Sequence, residues 1–594
     1  MTEPSFTVHI QPDGTKARAR QGDILSDVLM RAGVPLSAYC NKRGVCGKCA
    51  VRIVSGPLPF QTPREEALLL RRGLGPDHRL ACLYEVRSDV AVEVLPGSRL
   101  ESVAVLETGM ATDVIPQPAV RKLFLSLERS GPASPEAALD GLRSLLKTRD
   151  LGVPLPVLEK LGGGSIASKG GFTAVLFGGR EVLDIEPGDT TEGIFGLAVD
   201  LGTSTVVAEI ADLRTGEVVG RASSVNTQAS YGVDVVSRIT FAFENPDNLR
   251  RLRRAVIQLL NELVAEAARP RGVPRHRIYE AVVAGNTAMN HFLCGVPVDT
   301  LAMAPFHAVF TALPPLPAAE IGLSINPHAK IHIVPNIGSF VGGDVTAGLA
   351  ASEMASSHGR ELFIDLGTNG EIVLKRGREL AAASTAAGPA FEGMNISCGM
   401  MAVAGAVHHA EWDDAGFRLR TIGDLPPSGV CGTGLVDILA IALENKLIRP
   451  DGRIAAPERR LELGSGLALT QQDVREIQLA TAAIRTGALL MLREFRTPSR
   501  KLDRILVAGA FGGSLDVRNA VAIGLLPDIH AGRITFVGNA SLAGARKLLL
   551  SAPEREAAEA LAASIAHVSL ASQPGFQDEF VKAMEFKPYR AGEP

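Results

Sequence analysis

The chain has 594 residues, 46% hydrophobic, 21% charged and 5% aromatic, a globular composition with room for about four domains of ~150 residues. Disorder and a mini-protein scaffold are thereby excluded. Lys and Arg number 61 against 64 Asp and Glu, a net charge of −3 with no basic footprint, so no nucleic-acid partner is expected. No run approaches the ~18 apolar residues of a membrane helix, and Met1-Thr2-Glu3-Pro4 lacks the basic region and apolar core of a signal peptide. A cytoplasmic location without membrane insertion is expected, and seven cysteines, an odd count, are expected to stay reduced there.

Phe6, Val8 and Ile10 alternate with polar residues as in a half-buried strand. Asp23 is placed to cap a helix carrying Ile24, Leu25, Val28, Leu29 and Ala32 on one face and ending at Gly33. Leu80 to Glu85 and Asp89 to Val94 read as further strands. Between them Cys40, Cys46, Cys49 and Cys82 follow C-x5-C-x2-C-x32-C, three of them crowded into one loop. Gly44 and Gly47 give that loop the unusual dihedrals and close backbone approach that point amide groups at bridging sulfides. The alternative, a four-cysteine zinc site, is disfavoured because such sites usually pair their ligands as two short C-x2-C knuckles. Cys294, Cys398 and Cys431 lie singly in apolar or glycine-rich surroundings and read as small buried hydrophobes. Residues 1–95 thus resemble the β-grasp [2Fe-2S] ferredoxins, closer in spacing to the adrenodoxin-like branch than to the plant type.

A linker over 96–115 is followed by a small α+β domain over 116–192, with an amphipathic stretch from Pro135 to Thr148, the cluster Gly162-Gly163-Gly164 and a hairpin from Phe172 to Ile185. This domain reads as a spacer behind the ferredoxin.

Residues 193–594 carry an internal repeat, with halves beginning near 194 and 361. Val199-Asp200-Leu-Gly202-Thr203-Ser204-Thr205 returns 165 residues later as Ile364-Asp365-Leu-Gly367-Thr368-Asn369-Gly370-Glu371. Each copy is an apolar strand, an Asp at its end, a Gly-Thr turn and a second apolar strand. Such a turn exposes N–H and hydroxyl donors that wrap phosphate oxygens, and a carboxylate beside phosphate requires a cation such as Mg²⁺ between them. A third signal, Ile505-Leu-Val-Ala-Gly509-Ala510-Phe511-Gly512-Gly513-Ser514, is a buried strand entering a glycine-rich turn on which an adenine ring can lie. With the small-residue helix after Gly538-Asn539, this order resembles the actin, Hsp70 and sugar-kinase superfamily. The resemblance implies ATP·Mg²⁺ between two ribonuclease H-like lobes. The fold class expected is therefore multidomain α+β and α/β.

An ATP clamp joined to a [2Fe-2S] ferredoxin resembles the reductive activators of corrinoid proteins. The likeness is carried also by Tyr231-Gly-Val-Asp234-Val-Val-Ser-Arg238-Ile, Ala284-Gly-Asn286-Thr-Ala-Met289, Pro335-Asn-Ile-Gly-Ser-Phe-Val-Gly-Gly-Asp344 and Ala387-Gly-Pro-Ala-Phe-Glu392-Gly-Met-Asn-Ile-Ser397-Cys-Gly-Met400. It implies an ATP-dependent one-electron donor to the Co(II) of a corrinoid protein in a methyltransferase system, an upstream low-potential reductant and a homodimer. Clusters of the plant type lie near −400 mV, roughly, while Co(II)/Co(I) is expected lower; about 59 mV of mismatch costs about 1.4 kcal/mol, so ATP must shift a conformational equilibrium.

On this reading Asp200, Gly202, Thr203, Ser204 and Thr205 face Asp365, Gly367, Thr368 and Asn369 across the nucleotide, with Gly509, Gly512 and Gly513 under the adenosine. Asp344 either orients water or the magnesium shell, or caps the helix that follows; Glu371 is either catalytic or a strand residue. Ser397, in a loop of flexible glycines, is the candidate oxygen for cobalt. The helix capped by Thr470 and Asp473 carries Thr481 where the resemblance implies Lys, which puts ATP affinity in question. Two other readings remain open: an ATP-gated donor resembling activators of 2-hydroxyacyl-CoA dehydratases, whose cluster bridges two subunits, and a redox- and ATP-controlled switch. His291, Tyr231 and Trp412 read as packing or surface residues.

Overall fold

The computed structural model describes residues 4–34, 36, 44, 47, 49–71, 73–95, 98, 114–126, 135–147, 150–162, 170–509, 515–573 and 575–589. Cys40, Cys46, Gly163, Gly164, Gly512 and Gly513 lie outside these.

The N-terminal unit contains β1 (Ser5–Gln11), β2 (Thr15–Arg20), α1 (Leu25–Arg31), β3 (Ala50–Ser55), α2 (Pro63–Arg71), β4 (His78–Leu80) and β5 (Val90–Val94). The sheet order β2-β1-β5-β3-β4, with β1 and β5 parallel, is a β-grasp around Val8, Ile10, Leu25, Val28, Leu29 and Val92. Two local expectations fail. The run from Leu80 to Glu85 leaves the sheet after Leu80 and turns, because Arg79 and Glu65 hold that strand end from outside: the guanidinium donates to the carbonyls of Pro59 (2.8 Å) and Pro76 (2.7 Å), and Glu65 accepts the Leu80 N–H. Asp23 does not cap α1. Ile24 occupies that position, and the Asp23 carboxylate accepts from the Arg20 N–H and pairs with Arg31. Gly33 does follow the helix end in the left-handed region.

The middle unit pairs β6 (Val120–Ser126), β7 (Gly171–Phe177) and β8 (Glu181–Pro187) as an antiparallel sheet, beside α3 (Pro135–Leu146) and α4 (Leu155–Leu161). It does not stand apart as a spacer. Val120, Val175 and Leu183 share a core with Ala198, Val207 and Leu548 of the ATP-clamp segment. Buried Lys122 donates to Glu186 (2.7 Å) and to the carbonyls of Thr190 and Gly193, while the Tyr279 hydroxyl donates to Glu186 from the neighbouring sheet.

The repeat is a duplicated fold. The first lobe runs β9 (Phe195–Leu201), β10 (Thr205–Asp212), β11 (Val218–Val225), α5 (Val235–Glu244), α6 (Pro246–Ala268), β12 (Ile278–Gly285), α7 (Thr287–Cys294), α8 (Asp299–Ala302), β13 (Leu316–Pro317), α9 (Ala318–Ile321), β14 (Lys330–Ile333) and α10 (Gly343–Ser352). Its sheet order is β11-β10-β9-β12-β14-β13. The second lobe begins with β15 (Arg360–Leu366), β16 (Gly370–Arg376) and β17 (Glu379–Thr385). After a smaller inserted sheet built from β18 (Ala406–Asp413), β19 (Gly416–Thr421) and β20 (Gly429–Val430), it continues through α11 (Gly432–Glu444), the ribbon β21 (Arg460–Gly464) and β22 (Leu467–Thr470), and α12 (Gln471–Glu494). It closes with β23 (Arg504–Gly509), α13 (Val517–Ala522), β24 (Ile534–Gly538), α14 (Ala540–Leu550), α15 (Ala552–Ser564) and β25 (Ala566–His567). Its order, β24-β23-β15-β16-β17-β25, repeats the first lobe: an antiparallel three-strand meander whose first strand is flanked by two parallel strands.

Both sheets are covered on both faces, so their strands read as near-continuous apolar runs. Leu362, Ile364 and Leu366 enter one core while Phe363 enters another. Topology makes α10 and α14 equivalent, and they pack on each other along small residues. A side chain at Gly544 would place its Cβ 1.9 Å from the Ala347 carbonyl oxygen, so only glycine permits this approach.

Candidate functional site

The two repeated hairpins face each other across one cleft. The cleft is lined by Asp200, Gly202, Thr203, Ser204 and Thr205 from one lobe and by Asp365, Gly367, Thr368, Asn369 and Gly509 from the other, with Asp344 and Glu371 between them. Every nucleotide-site residue expected from the sequence and lying within the described residues is therefore brought together.

The first turn is held from behind. Asn226 donates through its side chain to the Gly202 carbonyl (2.9 Å) and through its backbone to that of Ser204 (2.8 Å), and buried Arg238 donates to the Thr203 carbonyl (2.7 Å). With its carbonyls occupied, the turn presents N–H and hydroxyl groups to the cleft. Gly509 lies at φ 109°, and a Cβ there would meet the Leu366 carbonyl oxygen at 2.5 Å.

Two helix N-termini converge on the same space. Asp344 is the second residue of α10, whose cap is Gly342; the capping role is corrected, and its Oδ1 accepts the Val345 N–H at 2.9 Å. Asn539 caps α14 by accepting the Leu542 N–H, and its side-chain amide donates to Asp200 Oδ2 at 2.9 Å. Ser541 donates to Asp200 Oδ1 at 2.8 Å. Helix N-termini favour anions, as phosphate would require. Asn539 and Ser541 were not identified as site residues from the sequence. The local signal was available, since Gly538-Asn539-Ala540 repeats the strand-end Gly285-Asn286-Thr287 in which Asn286 also caps a helix.

Five carboxylates line or border this cleft. Burial raises Asp344 and Asp365 to about 7, assisted by the neighbouring Asp200 charge and, for Asp365, by Asp344 and Glu392. Glu371, directly opposite Asp365 in the hairpin register, is pushed well above the carboxylate range by burial and by Asp344 and Asp365. Asp200 and Glu392 are raised by burial against the hydrogen bonds each accepts. So many acids in one cleft oppose a bare phosphate, and among the described residues no three His, Cys, Asp or Glu side chains are grouped to hold a metal ion directly, so a cation there would be held through its water shell.

Glu392 also lines the cleft, a place that its sequence motif alone does not assign. Ser204 donates to its carboxylate, Thr368 lies 2.9 Å from it, and the Ser204 and Thr368 hydroxyls are 2.9 Å apart. Beyond it, Gly393 and Gly399 serve close packing in place of the flexibility expected of them: a Cβ on Gly393 would meet the Met400 carbonyl oxygen at 2.2 Å. Ser397 stands apart from the cleft lining. Its Oγ and N–H donate to Asp473 at 2.5 and 2.7 Å, and Asp473 also completes the capping box with Thr470 that opens α12. Thr481 lies 1% exposed within α12, away from the cleft lining, and its Oγ1 has no hydrogen-bond partner among the described residues.

In the β-grasp unit, the Ala81 N–H donates to the Cys49 carbonyl at 3.0 Å, which brings buried Cys49 and Cys82 to the same place. Gly44 and Gly47 both have positive φ, at 63° and 70°, as a loop wrapping a cluster requires. Cys398 and Cys431 are buried, as expected of lone thiols; His291 stacks on Phe310, and Trp412 is partly exposed against Phe417. Among the described residues no helix is long and apolar enough to cross a membrane.

Four family descriptions match the chain in order: a 2Fe-2S iron-sulfur cluster binding domain over 8–87, the RACo linker region over 110–192, the RACo middle region over 195–357, and the C-terminal domain of RACo, the ASKHA domain, over 360–592. The corrinoid activation enzyme RamQ of Eubacterium limosum is 30% identical over 590 residues, covering 94% of this chain and 96% of that protein. A Methanosarcina barkeri protein described as a Co(II) methylated amine-specific corrinoid protein reductase is 26% identical over 66% of this chain and 77% of its own length. The solved structure of a reductive activator for corrinoid, iron-sulfur protein superposes with a TM-score of 0.74 at 32% identity, covering 98% of both chains. This chain belongs to the family of reductive activators of corrinoid proteins.

Proposed function

We propose that the chain is an ATP-dependent reductive activator that returns the inactive Co(II) of a corrinoid protein in a methyltransferase system to Co(I), one electron at a time. The observation that carries this reading is the likeness to corrinoid activators over nearly the whole chain, spanning the cysteine domain and the two-hairpin cleft together. When bound, a [2Fe-2S] cluster supplies a one-electron carrier, and MgATP supplies a ligand able to favour one arrangement of the lobes over another.

Cys40, Cys46, Cys49 and Cys82 would hold the cluster. Gly202, Thr203, Ser204 and Thr205 would seat phosphate oxygens from one lobe and Gly367, Thr368 and Asn369 from the other, with Gly509, Gly512 and Gly513 under the adenosine. Asp200, fixed by Asn539 and Ser541, would hold the magnesium shell with Asp365, and Asp344 would orient it or the attacking water. Ser397 remains the candidate oxygen for cobalt, which requires it to exchange its bond to Asp473. A homodimer in the cytoplasm, served by an upstream low-potential donor, completes the proposal.

The test is anaerobic. Chemically reduced protein is mixed with a Co(II) corrinoid protein, with and without Mg²⁺ and ATP, and Co(I) is followed by its absorbance. ATP-dependent Co(I) formation is expected. An intact cluster and ATP turnover without Co(I) from any corrinoid partner would refute it in favour of another electron acceptor or of a switch.

A further inference from the structure

Resting on the nucleotide reading above, we propose that Glu392 is a phosphate place-holder: its carboxylate occupies the donors meant for ATP, and its displacement moves the loop 393–401 that lies between the lobes.

Proton counting makes the case. Ser204 and Thr368 carry one hydroxyl proton each. Ser204 donates to Glu392, and among the described residues the Thr368 hydroxyl has Glu392 (2.9 and 3.1 Å) or Ser204 (2.9 Å) as its partner. Both protons are therefore consumed within the trio, and neither hairpin hydroxyl retains one for a phosphate oxygen. A phosphate seated by these two hydroxyls would also stand beside a carboxylate in a half-buried site, an arrangement of like charges that one of the two must leave. Arg238, buried behind the turn on the Thr203 carbonyl, lies close enough for its charge to favour the Glu392 carboxylate, which steadies the place-holder while the cleft is without phosphate.

The backbone that follows Glu392 has little room to adjust. The next residue, Gly393, has φ 77°, and its backbone packs against that of Met400 and Gly399. The segment is thus a compact unit. Its far end pairs with β20, Met400 N–H to the Val430 carbonyl at 3.0 Å and Val430 N–H to that of Cys398 at 2.8 Å. Met400 and Met401 cluster with Cys431 and with Val225 of the opposite lobe, and Ser397 is tied to Asp473 on α12. Pulling Glu392 out of the cleft therefore loads contacts to both lobes and the residue proposed to meet cobalt.

Two measurements test this. In the wild-type holoprotein, MgATP binding followed by calorimetry is paired with amide hydrogen exchange over 393–401. Faster exchange in that segment on binding is expected. Binding with unchanged or slower exchange there would overturn the place-holder while leaving the nucleotide site intact, whereas absence of binding would overturn both. In Glu392→Gln the negative charge is lost and the shape kept, so MgATP is expected to bind on the order of tenfold tighter, the electrostatic penalty of a close like charge in a partly solvated site. Exchange over 393–401 in this variant is expected to be fast already without nucleotide. Weaker MgATP binding would make Glu392 a direct ligand of nucleotide or metal and would overturn the proposal; the exchange arm needs no variant.

Discussion

Burial pushes the Asp344 and Asp365 carboxyls up to about 7, and this has a measurable consequence for nucleotide binding. For a carboxyl whose folded-state pKa lies above its unfolded value, the folded chain holds more protons than the unfolded one between about pH 4 and 7, so stability falls as pH rises through that window. A divalent cation in the cleft reverses the preference by stabilising the charged forms. Burial and the surrounding negative charges keep both carboxyls partly protonated near neutral pH, so MgATP binding is expected to release protons, more at pH 6 than at pH 8 and at most about one per carboxyl, and apparent MgATP affinity is expected to weaken as pH falls from 8 to 6.

Calorimetry in two buffers of different ionisation heat gives the proton count directly. Asp344→Asn and Asp365→Asn should each lower it, Asp344→Asn also by relieving the repulsion that raises Asp365, and the comparison with wild type subtracts the titration of the nucleotide itself. Tight binding with no proton release at pH 6 or 7, or a release that both variants leave unchanged, would refute the cation-centred reading of this cleft.

Three further outcomes are expected. Asn539→Ala and Ser541→Ala, which unfasten Asp200, should each weaken MgATP binding about tenfold while leaving the visible spectrum of the cluster unchanged, read by calorimetry and absorbance. Gly544→Ala places a methyl group 1.9 Å from the Ala347 carbonyl oxygen and should destabilise the seam between α10 and α14 by about 3 kcal/mol, read by urea unfolding; a change within about 0.5 kcal/mol would contradict the packing described. Arg555→Met strands Glu280, whose partner it is at 2.6 Å in a buried site, and should cost about 3–5 kcal/mol, most of it recovered in the double variant with Glu280→Leu.

Local pattern made much of this architecture legible. The alternation in β1, the cysteine spacing and the two Asp-Leu-Gly-Thr turns each report a neighbourhood of a few residues, and the structure joins the two turns in one cleft. The misreadings were also local. Leu80 to Glu85 has strand composition, but its start is fastened by Arg79 reaching the Pro59 carbonyl 20 residues away and by Glu65 of α2 accepting the Leu80 N–H from 15 residues away. Asp344 suits a helix cap, but backbone approach at Gly342 leaves room for glycine alone: a Cβ there would meet Asn286 Cα at 2.5 Å. The roles of Asn539, Ser541 and Glu392 depend on partners 339, 341 and 188 residues distant, and no periodicity encodes such pairings.

The duplication also explains why the two halves of the cleft are chemically unlike. In both lobes an Asp ends the first strand, but the residue opposite it in the hairpin is Val207 in the first lobe and Glu371 in the second. The first lobe's Asp200 is instead served by neutral donors at the N-terminal end of α14, in the second lobe. The lobes therefore complete each other's site: Asn539 and Ser541 cross from the second lobe to hold Asp200, and Ser204 crosses from the first to meet Thr368 and Glu392. Neither half can change its position without disturbing the carboxylates of the other. That interdependence couples the charge state of the cleft to the separation of the lobes, as an ATP-driven change in a partner-facing loop requires.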